Sequence, residues 1–356
     1  MLDINKPTLI INKNLCINNI KKILEICINN NIRFRPHFKT HQSLEVGKWF
    51  KQLGIKSITV SSVSMAEYFS DDWDDITIAF PFNILEIDII NDLSYDKEIN
   101  LLIDNYDTLR IIEKKLNNRV GIYLKIDVGY NRAGLIYDNY KSIDKIINQI
   151  SNKSNFNLKG FISHFGNTYS SQNISDIKNI FQISIDRLET LSKKYKHLDF
   201  SIGDTPSSSI IREYPEFIKE IRPGNFIYYD LSQYKIGSCD LNQISIRVVC
   251  PVVSIYENRK EILIYGGAIH FSKDYIIENK NKCFGYVYKG DNYWDLSNKI
   301  GYIKSLSQEH GIVKLNKTVD LSIGDKLSII PVHSCLTADK MGKIYYNKKE
   351  ISMMRI

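Results

Sequence analysis

Short apolar segments alternate with segments of helical period from about residue 33 to residue 230. One helical segment carries its apolar residues on a single face, at Tyr140, Ile143, Ile146, Ile147 and Ile150. Strands that alternate with amphipathic helices are typical of a parallel sheet covered by helices. The pattern therefore predicts an α/β fold for the first two thirds of the chain.

Eight strand candidates are recognised in this region by the polar residues at their ends. They are RFRPHFKTH, SITVSS, ITIAFPF, INLLIDN, GIYLKIDVGYNRAG, KGFISHFGNTY, LDFSIGDTPS and EIRPGNFIYYD. Eight strands in βα alternation over roughly 200 residues are typical of a closed (β/α)8, TIM-like barrel. We predict this barrel over residues 12–235, with its active site among the residues that follow the strands.

The pattern changes after Asp230. ISIRVVCPVVSIYENRKEILIYGGAIHFSKD predicts β-strands joined by a turn at ENRK, and VDLSIGDKLSIIPVHSC predicts two more around a turn at IGDK. We therefore expect a mainly β domain over residues 236–356. The leading strand PTLII, within residues 1–11, precedes the predicted barrel, and we expect it to join the β domain.

Composition narrows the class of protein. Of the 356 residues, 43% are hydrophobic and 24% are charged, which is an ordinary balance for a globular protein. No apolar run reaches the roughly 18 residues that a membrane span needs, so no membrane partner is expected. The net charge of +7 is spread over several helix surfaces, whereas nucleic-acid binding favours a clustered basic stripe. No nucleic-acid partner is expected either.

The N-terminal sequence and the cysteines both bear on location. MLDINKPTLIINKN lacks the pattern of a secretion signal, and a cytoplasmic location is therefore expected. The six cysteines have no paired short spacings, which favours reduced thiols over a disulfide framework. They are Cys16, Cys27, Cys239, Cys250, Cys283 and Cys335.

The first strand candidate ends in RPHFKTH, where Lys39 stands between two histidines without a nearby acid. A solvated basic loop is one interpretation of these seven residues. The other is a lysine that binds an aldehyde cofactor through its amine, since cationic or buried surroundings favour such chemistry. The seven residues alone leave both interpretations open.

Polar side chains also follow the fifth and sixth strand candidates. DVGYNRAG places Arg132 where it would meet an anionic oxygen, or where it would form a surface salt bridge. SHFGNTY offers His164 and Tyr169, whose rings are suited to packing on a planar cofactor, although a core histidine is equally common there. These alternatives stay open from the residues alone.

Glycine-containing turns follow the last two strand candidates. GDTPS contains Gly203 and Thr205, and RPGN contains Gly224 and Asn225. Such barrels often bind phosphate at this position, where glycines let backbone N–H groups approach an anion and Thr or Asn adds a side-chain donor. Ordinary turns are the alternative interpretation.

PVHSCLT contains His333 and Cys335 at the end of a strand pattern. Side chains two residues apart on a strand point to the same face, and an imidazole with a thiolate suits zinc. Two ligands are fewer than the three that a catalytic zinc usually has, so a third ligand, substrate or water would complete the site. A structural His/Cys pair is the alternative.

Together, RPHFKTH, DVGYNRAG, SHFGNTY, GDTPS, EIRPGNFIYYD and PVHSC resemble the metal-activated pyridoxal-phosphate enzymes of the D-threonine aldolase and D-serine dehydratase family. The resemblance implies a barrel of the alanine racemase N-terminal type, fold type III. It also implies that Lys39 binds pyridoxal 5'-phosphate covalently, that Arg132 faces its phenolic oxygen and that Tyr169 lies near its pyridine ring. Because related enzymes are homodimers, the resemblance implies a homodimer as well.

The resemblance further implies that the phosphate is held by the glycine-containing turns, and the metal by the pair in PVHSC. The phosphate residues are Gly203, Thr205, Gly224 and Asn225, and the metal ligands are His333 and Cys335. Zinc is the first candidate for the divalent metal and manganese the second. Asp204 departs from the family pattern, because an acid in a phosphate loop repels the phosphate unless it points away. The segment from His270 to Asp274 receives no role.

The activity that the resemblance implies is that of a lyase acting on small D-3-hydroxy amino acids. In this family the thiolate at Cys335 is typical of dehydratases, whereas aldolases tend to carry a carboxylate. D-Serine dehydratase activity, which converts D-serine to pyruvate and ammonia, is therefore the first hypothesis. D-Threonine aldolase activity is the alternative, followed by an amino-acid racemase and a non-catalytic pyridoxal-phosphate-binding protein.

Overall fold

A computed structural model describes residues 3–290 and 292–354. These residues form two compact units. The barrel unit consists of residues 21–39 and 47–224, and the β unit consists of residues 3–20, 40–46, 225–290 and 292–354. The β unit thus includes residues 40–46 and 225–235, which the sequence analysis assigned to the barrel domain, and the predicted domain boundary stays a prediction. The outermost residues of the predicted β domain, 1–2 and 355–356, lie outside the described residues.

The chain begins with strand β1 (Thr8–Ile11) and helix α1 (Lys13–Asn29), and the strands of the barrel unit follow. They are β2 (Arg33–Phe34), β3 (Ser57–Val60), β4 (Asp75–Pro81), β5 (Glu98–Ile103), β6 (Val120–Asp127), β7 (Leu135–Ile136), β8 (Phe156–Ser163), β9 (Asp199–Ile202) and β10 (Ile218–Ile221). The helices between them are α2 (Leu44–Gln52), α3 (Val63–Ser70), α4 (Ile87–Leu93), α5 (Tyr106–Lys115), α6 (Tyr140–Ser151), α7 (Ile174–Lys194) and α8 (Thr205–Ile210).

Eight of these strands form one parallel sheet in the order β2-β10-β9-β8-β6-β5-β4-β3, and β7 pairs with β6 beside it. The two end strands are joined by the segment that follows β2, because His37 bridges Thr59 of β3 and the N–H of Thr59 donates to the carbonyl of Pro36 at 2.9 Å. The sheet is therefore a nearly closed barrel, which confirms the predicted fold class.

Asparagine has a structural use on the outside of this barrel. The side chains of Asn105, Asn139 and Asn173 accept a backbone N–H in the first turns of α5, α6 and α7. An N-terminal cap of this kind stabilises a helix by about 1 kcal/mol. The predicted apolar face of α6 is confirmed, since Ile143, Ile146 and Ile150 are buried.

The β unit contains the remaining elements. Its further strands are β11 (Ile246–Tyr256), β12 (Glu261–Tyr265), β13 (Ile276–Glu278), β14 (Asn281–Cys283), β15 (Gly285–Tyr288), β16 (Lys299–Leu306), β17 (His310–Leu315), β18 (Lys326–Pro331), β19 (Lys343–Tyr346) and β20 (Lys349–Ser352). Its helices are α9 (Leu231–Lys235), α10 (Ala268–Phe271) and α11 (Ser334–Met341).

Six strands of the β unit close on themselves in the order β11-β12-β17-β16-β15-β18, because β11 pairs with both β12 and β18. The leading strand β1 pairs with β11, and the turn at ENRK lies between β11 and β12, as predicted. The prediction for VDLS was wrong, since residues 319–322 form no strand and only β18 follows the turn at IGDK. None of the residues 319–322 is buried, so this segment lacks the buried face that a strand would need.

Two expectations from composition can be compared with the fold. None of the helices within residues 3–290 and 292–354 is both long enough and apolar enough to cross a membrane. All six cysteines are free thiols, and Cys335 alone among them is not fully buried. The interpretation of the cysteines as reduced thiols is therefore confirmed.

Candidate active site

Lys39 lies in a short 3₁₀ helix, Phe38–Thr40, directly after the segment that closes the barrel. The neighbouring ring of Phe38 is fully buried, with its centroid 5.0–5.2 Å from those of Phe50, Phe69 and Trp73. The Lys39 side chain is exposed, and its backbone N–H points to the Nδ1 atom of His37 at 3.4 Å. An anchored backbone beneath an accessible amine suits a lysine that binds a ligand.

Three residues that the sequence predicted for the cofactor interact electrostatically in the barrel unit, namely His164, Arg132 and Lys39. Burial lowers the pKa of His164 well below its usual value, and the positive charges of Arg132, Lys125 and Lys39 act in the same direction. The imidazole of His164 is therefore neutral at neutral pH. The side chains around it create a positive potential, which favours an anionic ligand.

The loop that carries Arg132 is shaped by a carboxylate at the end of β6. Asp127 Oδ1 accepts the backbone N–H groups of Gly129, Tyr130 and Asn131 at 2.8, 2.9 and 3.2 Å. The guanidinium of Arg132 lies over the ring of Tyr130, 5.1 Å from its centroid. This contact is a cation–π interaction, which leaves the guanidinium N–H groups exposed at the loop.

The predicted residues after β8 and β9 contact one another. The Nδ1 atom of His164 hydrogen-bonds the carbonyl of Gly203, and the hydroxyl of Tyr169 accepts the backbone N–H of Thr205 at 3.0 Å. A Cβ atom on Gly203 would lie 3.0 Å from both the Cβ and the carbonyl oxygen of Arg222. Glycine is therefore the residue that this close approach accommodates.

Asp204 does not face the loop as a free acid. Its carboxylate caps helix α8, where Oδ2 accepts the N–H of Ser207 at 2.7 Å and the hydroxyl of Thr168 at 2.9 Å. The side chain is only 3% exposed. The repulsion of a phosphate that the sequence raised as a difficulty is thus resolved, because the carboxylate is directed into the helix start.

This part of the barrel unit fits the phosphate group of pyridoxal 5'-phosphate. Among the described residues, the side-chain oxygen of Thr205 is buried and has no hydrogen-bond partner. A buried hydroxyl without a partner costs free energy, so such groups commonly mark the place of a ligand or water. This hydroxyl therefore matches an anion such as phosphate, which has several acceptor oxygens.

Gly224 is the last residue of the barrel unit and Asn225 the first of this part of the β unit, and both are buried. The side-chain amide of Asn225 donates to Asp230 at 2.7 Å and to Ser334 at 3.0 Å, and it lies 3.5 Å from the sulfur of Cys335. The side-chain amide of Asn225, which was predicted to bind the phosphate, is therefore hydrogen-bonded to residues beside the predicted metal ligands.

His333 and Cys335 lie at the start of helix α11 rather than on a strand. Strand β18 ends at Pro331, His333 is the N-terminal cap residue of α11, and Cys335 lies in its first turn. The predicted reason for their proximity, the alternation of a strand, was therefore wrong. The two side chains nevertheless lie close enough to shift each other's pKa. Thr40 Oγ1, from the residue that follows Lys39 in the chain, lies 3.2 Å from Cys335 Sγ.

The His333–Cys335 pair is electrostatically coupled. Burial lowers the pKa of His333, but the interaction with the thiolate of Cys335 outweighs it and raises this pKa to about 10. Burial raises the pKa of Cys335, and the interaction with His333 outweighs it, so that the net shift is downward. A thiolate is the form of cysteine that binds a metal, and an imidazole releases its proton when it does so.

The donor chemistry of this pair fits a divalent ion such as zinc, with two ligands from the chain. Within residues 3–290 and 292–354, no group of three or more His, Cys, Asp and Glu side chains is arranged to hold a metal. An ion at His333 and Cys335 would therefore keep positions for substrate or water. Open positions are characteristic of catalytic rather than structural zinc.

Two carboxylates that the sequence analysis did not select lie at the start of α11, one against His333 and the other against Ser334. Asp274 Oδ2 lies 2.6 Å from His333 Nδ1, and Asp230 Oδ2 accepts the backbone N–H and the hydroxyl of Ser334 at 2.9 and 3.2 Å. Asp230 is 1% exposed and also caps α9. Neither contact has a local sequence signal, since each joins residues far apart in the chain.

Two buried cations of the barrel unit were also missed. Burial, with the charges of Arg222 and Arg132, lowers the pKa of Lys125 to about 7. Arg222 donates to the hydroxyl of Ser201 and to the carbonyl of Ser163, both at 2.7 Å. The signal that would have found them is a charged residue inside an apolar strand, in GIYLKID and KEIRPG.

Comparison with known proteins shows two matching families. Residues 11–232 match the family described as "Alanine racemase, N-terminal domain", and residues 245–347 match the family described as "Putative serine dehydratase domain". The first match covers more than half of the chain, and the second lies within the β unit.

Individual relatives are similar to the chain over nearly its whole length. The D-serine dehydratase of Dictyostelium discoideum is 32% identical over 377 residues, which cover 94% of this chain and 91% of that protein. The structure of D-threo-3-hydroxyaspartate dehydratase from Delftia sp. HT23 has a TM-score of 0.87 at 19% identity, covering 99% of this chain and 98% of that one. The structure of D-threonine aldolase from Filomicrobium marinum has a TM-score of 0.84 at 16% identity, covering 98% and 95%.

Proposed function

This chain belongs to the alanine-racemase-like family of pyridoxal-phosphate enzymes that contains the D-serine dehydratases and D-threonine aldolases, and from that premise we propose that it is a D-serine dehydratase. The reaction is the elimination of water from D-serine, followed by hydrolysis to pyruvate and ammonia. The D-serine dehydratase from Dictyostelium discoideum, 32% identical, supports this substrate.

The observation that carries the proposal is that His333 and Cys335 lie together at the start of α11. A Lewis acid bound by this pair would make a hydroxyl a better leaving group, and the β-hydroxyl is the group that leaves in the dehydration of serine. A thiolate with an imidazole favours zinc over manganese or magnesium, which prefer oxygen ligands. We therefore propose zinc as the metal.

The residues of the barrel unit that would hold pyridoxal phosphate are Lys39, His164, Tyr169, Gly203 and Thr205. Lys39 would bind the aldehyde group through Nζ, and the backbone at Gly203 with the hydroxyl of Thr205 would bind the phosphate. The unpartnered hydroxyl of Thr205 supports the second assignment. Gly224 would add a close backbone approach, and Asn225 would contribute its backbone N–H.

Two side chains would act on the ring of the cofactor. Arg132 would donate to its phenolic oxygen, and the exposed ring of Tyr169 would pack beside the pyridine. The positive charges near His164 support an anionic ligand at this position. A neutral His164 would contribute packing without adding a further charge.

Once bound, pyridoxal phosphate supplies an electron sink for the bond that breaks at the α-carbon. Lys39, whose Nζ would hold the aldehyde group of the cofactor, would also be the base that removes the α-proton of the substrate. His333 and Cys335 would hold the ion, whose Lewis acidity would help the β-hydroxyl to leave. The products are pyruvate and ammonia, and no oxidant is needed.

D-Threonine aldolase activity is the second candidate, supported by the fold that this chain shares with the Filomicrobium marinum aldolase. The same residues would serve retro-aldol cleavage if the β-hydroxyl lost its proton instead of leaving. The thiolate of Cys335 favours dehydration, because the family's aldolases tend to carry a carboxylate at this position. A homodimer stays a prediction by analogy with the family.

The decisive experiment incubates the full-length protein, loaded with pyridoxal phosphate and zinc, with D-threonine and identifies the products. We expect 2-oxobutanoate and ammonia, and faster turnover of D-serine. Glycine and acetaldehyde would instead establish the aldolase, and L-allo-threonine as the only product would establish an epimerase. K39A serves as the control, because full turnover in that variant would contradict the assignment of Lys39.

A further inference from the structure

The ring of His333 is held on one side by a carboxylate from a distant part of the chain. Its Nδ1 atom lies 2.6 Å from Asp274 Oδ2, although the two residues are 59 positions apart. Both side chains are partly exposed, 38% for His333 and 48% for Asp274. Either residue can therefore be substituted without creating a cavity in the hydrophobic core.

The backbone before Asp274 has an unusual conformation. Ser272 has φ of 77° and ψ of 179°, a region that residues with a side chain rarely adopt, and it is only 3% exposed. The N–H of Asp274 donates to the hydroxyl of Ser272 at 3.2 Å. Such conformations persist where the surroundings enforce them, and they concentrate at functional positions. The turn thus fixes where the Asp274 carboxylate points.

This segment is also attached to the helix that carries the metal ligands. Thr337, on α11, donates its hydroxyl to the carbonyl of Phe271 at 3.0 Å, and both residues are buried. His333 is the cap residue of the same helix. Asp274 and His333 are therefore held at a fixed separation by a buried hydrogen bond one turn further along α11.

We propose that Asp274 is a positioning residue for the metal ligand His333, an inference that rests on the metal site of the proposed function. A carboxylate that accepts the Nδ1–H of a histidine fixes the tautomer and the ring orientation, so that Nε2 carries the lone pair. It also makes Nε2 a stronger ligand. With two ligands from the chain, the site depends on each of them more than a site with three or four.

The test is a zinc titration of the full-length protein loaded with pyridoxal phosphate. Bound metal is first removed with a chelator, and zinc is then added in competition with a chromogenic chelator. We expect D274A to raise the zinc dissociation constant about 10–100-fold. D274N should cause a smaller rise, because its amide oxygen still accepts the Nδ1–H. Excess zinc should saturate D274A but not H333A, since only the second lacks a ligand.

Asp320 provides the matched control, since it is an exposed aspartate of the same unit and, within the described part of the chain, its side chain does not contact His333 or Cys335. D320A removes the same charge and should bind zinc as the wild type does. If D274A also binds zinc normally while H333A does not, the role of Asp274 is wrong and the metal site stands. If H333A and C335A both bind zinc normally, the metal site and the role of Asp274 both fail.

Discussion

Glu220 and Arg35 form an ion pair in the interior of the barrel unit, with Glu220 Oε2 2.7 Å from Arg35 Nε and the side chains 0% and 3% exposed. Burial raises the pKa of Glu220, but the charges of Arg35 and Arg33 outweigh it and hold this pKa at about 2. The other side of Arg35 pairs with Asp75 at 2.6 Å. Arg35 begins the segment RPHFKTH, so this pair supports the backbone that leads to Lys39.

The first prediction concerns this buried pair. E220A leaves the guanidinium of Arg35 without one of its two carboxylates, and the free energy of unfolding should fall by about 3–5 kcal/mol. The measurement is denaturant unfolding of both proteins. D199A is the control, because Asp199 contacts Arg33 at 3.2 Å with both side chains over 40% exposed, and it should cost under about 1 kcal/mol. Equal losses of unfolding free energy in E220A and D199A would contradict a stabilising role for the buried pair.

The fold was predictable because its signals are local and repeated. The eight strands carry apolar runs of the kind that parallel sheets bury, and each is followed by a helical segment. The start of α11 was misread because VHSC directly follows an apolar strand and has no strong capping residue at the cap position, where His333 makes no side-chain cap bond. The local sequence alone does not distinguish a continued strand from the start of a helix there.

The candidate site was predictable only where its residues cluster in short motifs. The capping role of Asp204 had a usable signal, because an aspartate followed by Thr-Pro is typical of a helix start. The contact between Asp274 and His333 had none. It depends on how the turn at Ser272 packs on α11, and such long-range geometry is fixed by tertiary structure.

The second prediction concerns the pH dependence of stability at Asp204. Burial raises the pKa of this carboxyl to about 6, although hydrogen bonds from Ser207 and Thr168 oppose the shift. A carboxyl whose pKa is higher in the folded state stabilises the fold at low pH, and this contribution is lost as the pH rises through the folded pKa.

D204N should remove that dependence, because asparagine is an equally good helix cap without the charge. The stability of D204N relative to the wild type should rise by up to about 3 kcal/mol as the pH increases from about 4 to about 7. Urea unfolding of the protein without cofactor, across this range, measures the difference. A difference that stays constant with pH would argue against a buried, ionising Asp204.

The third prediction separates a ligand role from a structural role at Thr205. T205V removes a buried hydroxyl that has no partner, so the stability of the cofactor-free protein should be unchanged or higher. Affinity for pyridoxal phosphate should fall by about 10–100-fold, the equivalent of one hydrogen bond to a charged group. Titration by absorbance gives the affinity.

Thr77 offers a matched control for Thr205, since it is a threonine in β4 whose buried hydroxyl also has no partner. T77V should leave the affinity for pyridoxal phosphate unchanged. If T205V lowers stability and leaves the affinity intact, the phosphate assignment is wrong.

The fourth prediction concerns the choice of metal at Cys335. Replacing its thiolate by a carboxylate in C335D exchanges a soft ligand for a hard one, which favours manganese relative to zinc. The ratio of zinc affinity to manganese affinity should fall by about an order of magnitude or more. C335S, whose hydroxyl carries no negative charge, should weaken the binding of both metals. The pyridoxal-phosphate absorbance of each variant checks that the barrel unit is intact, and an unchanged affinity ratio in C335D would mean that Cys335 is not a ligand.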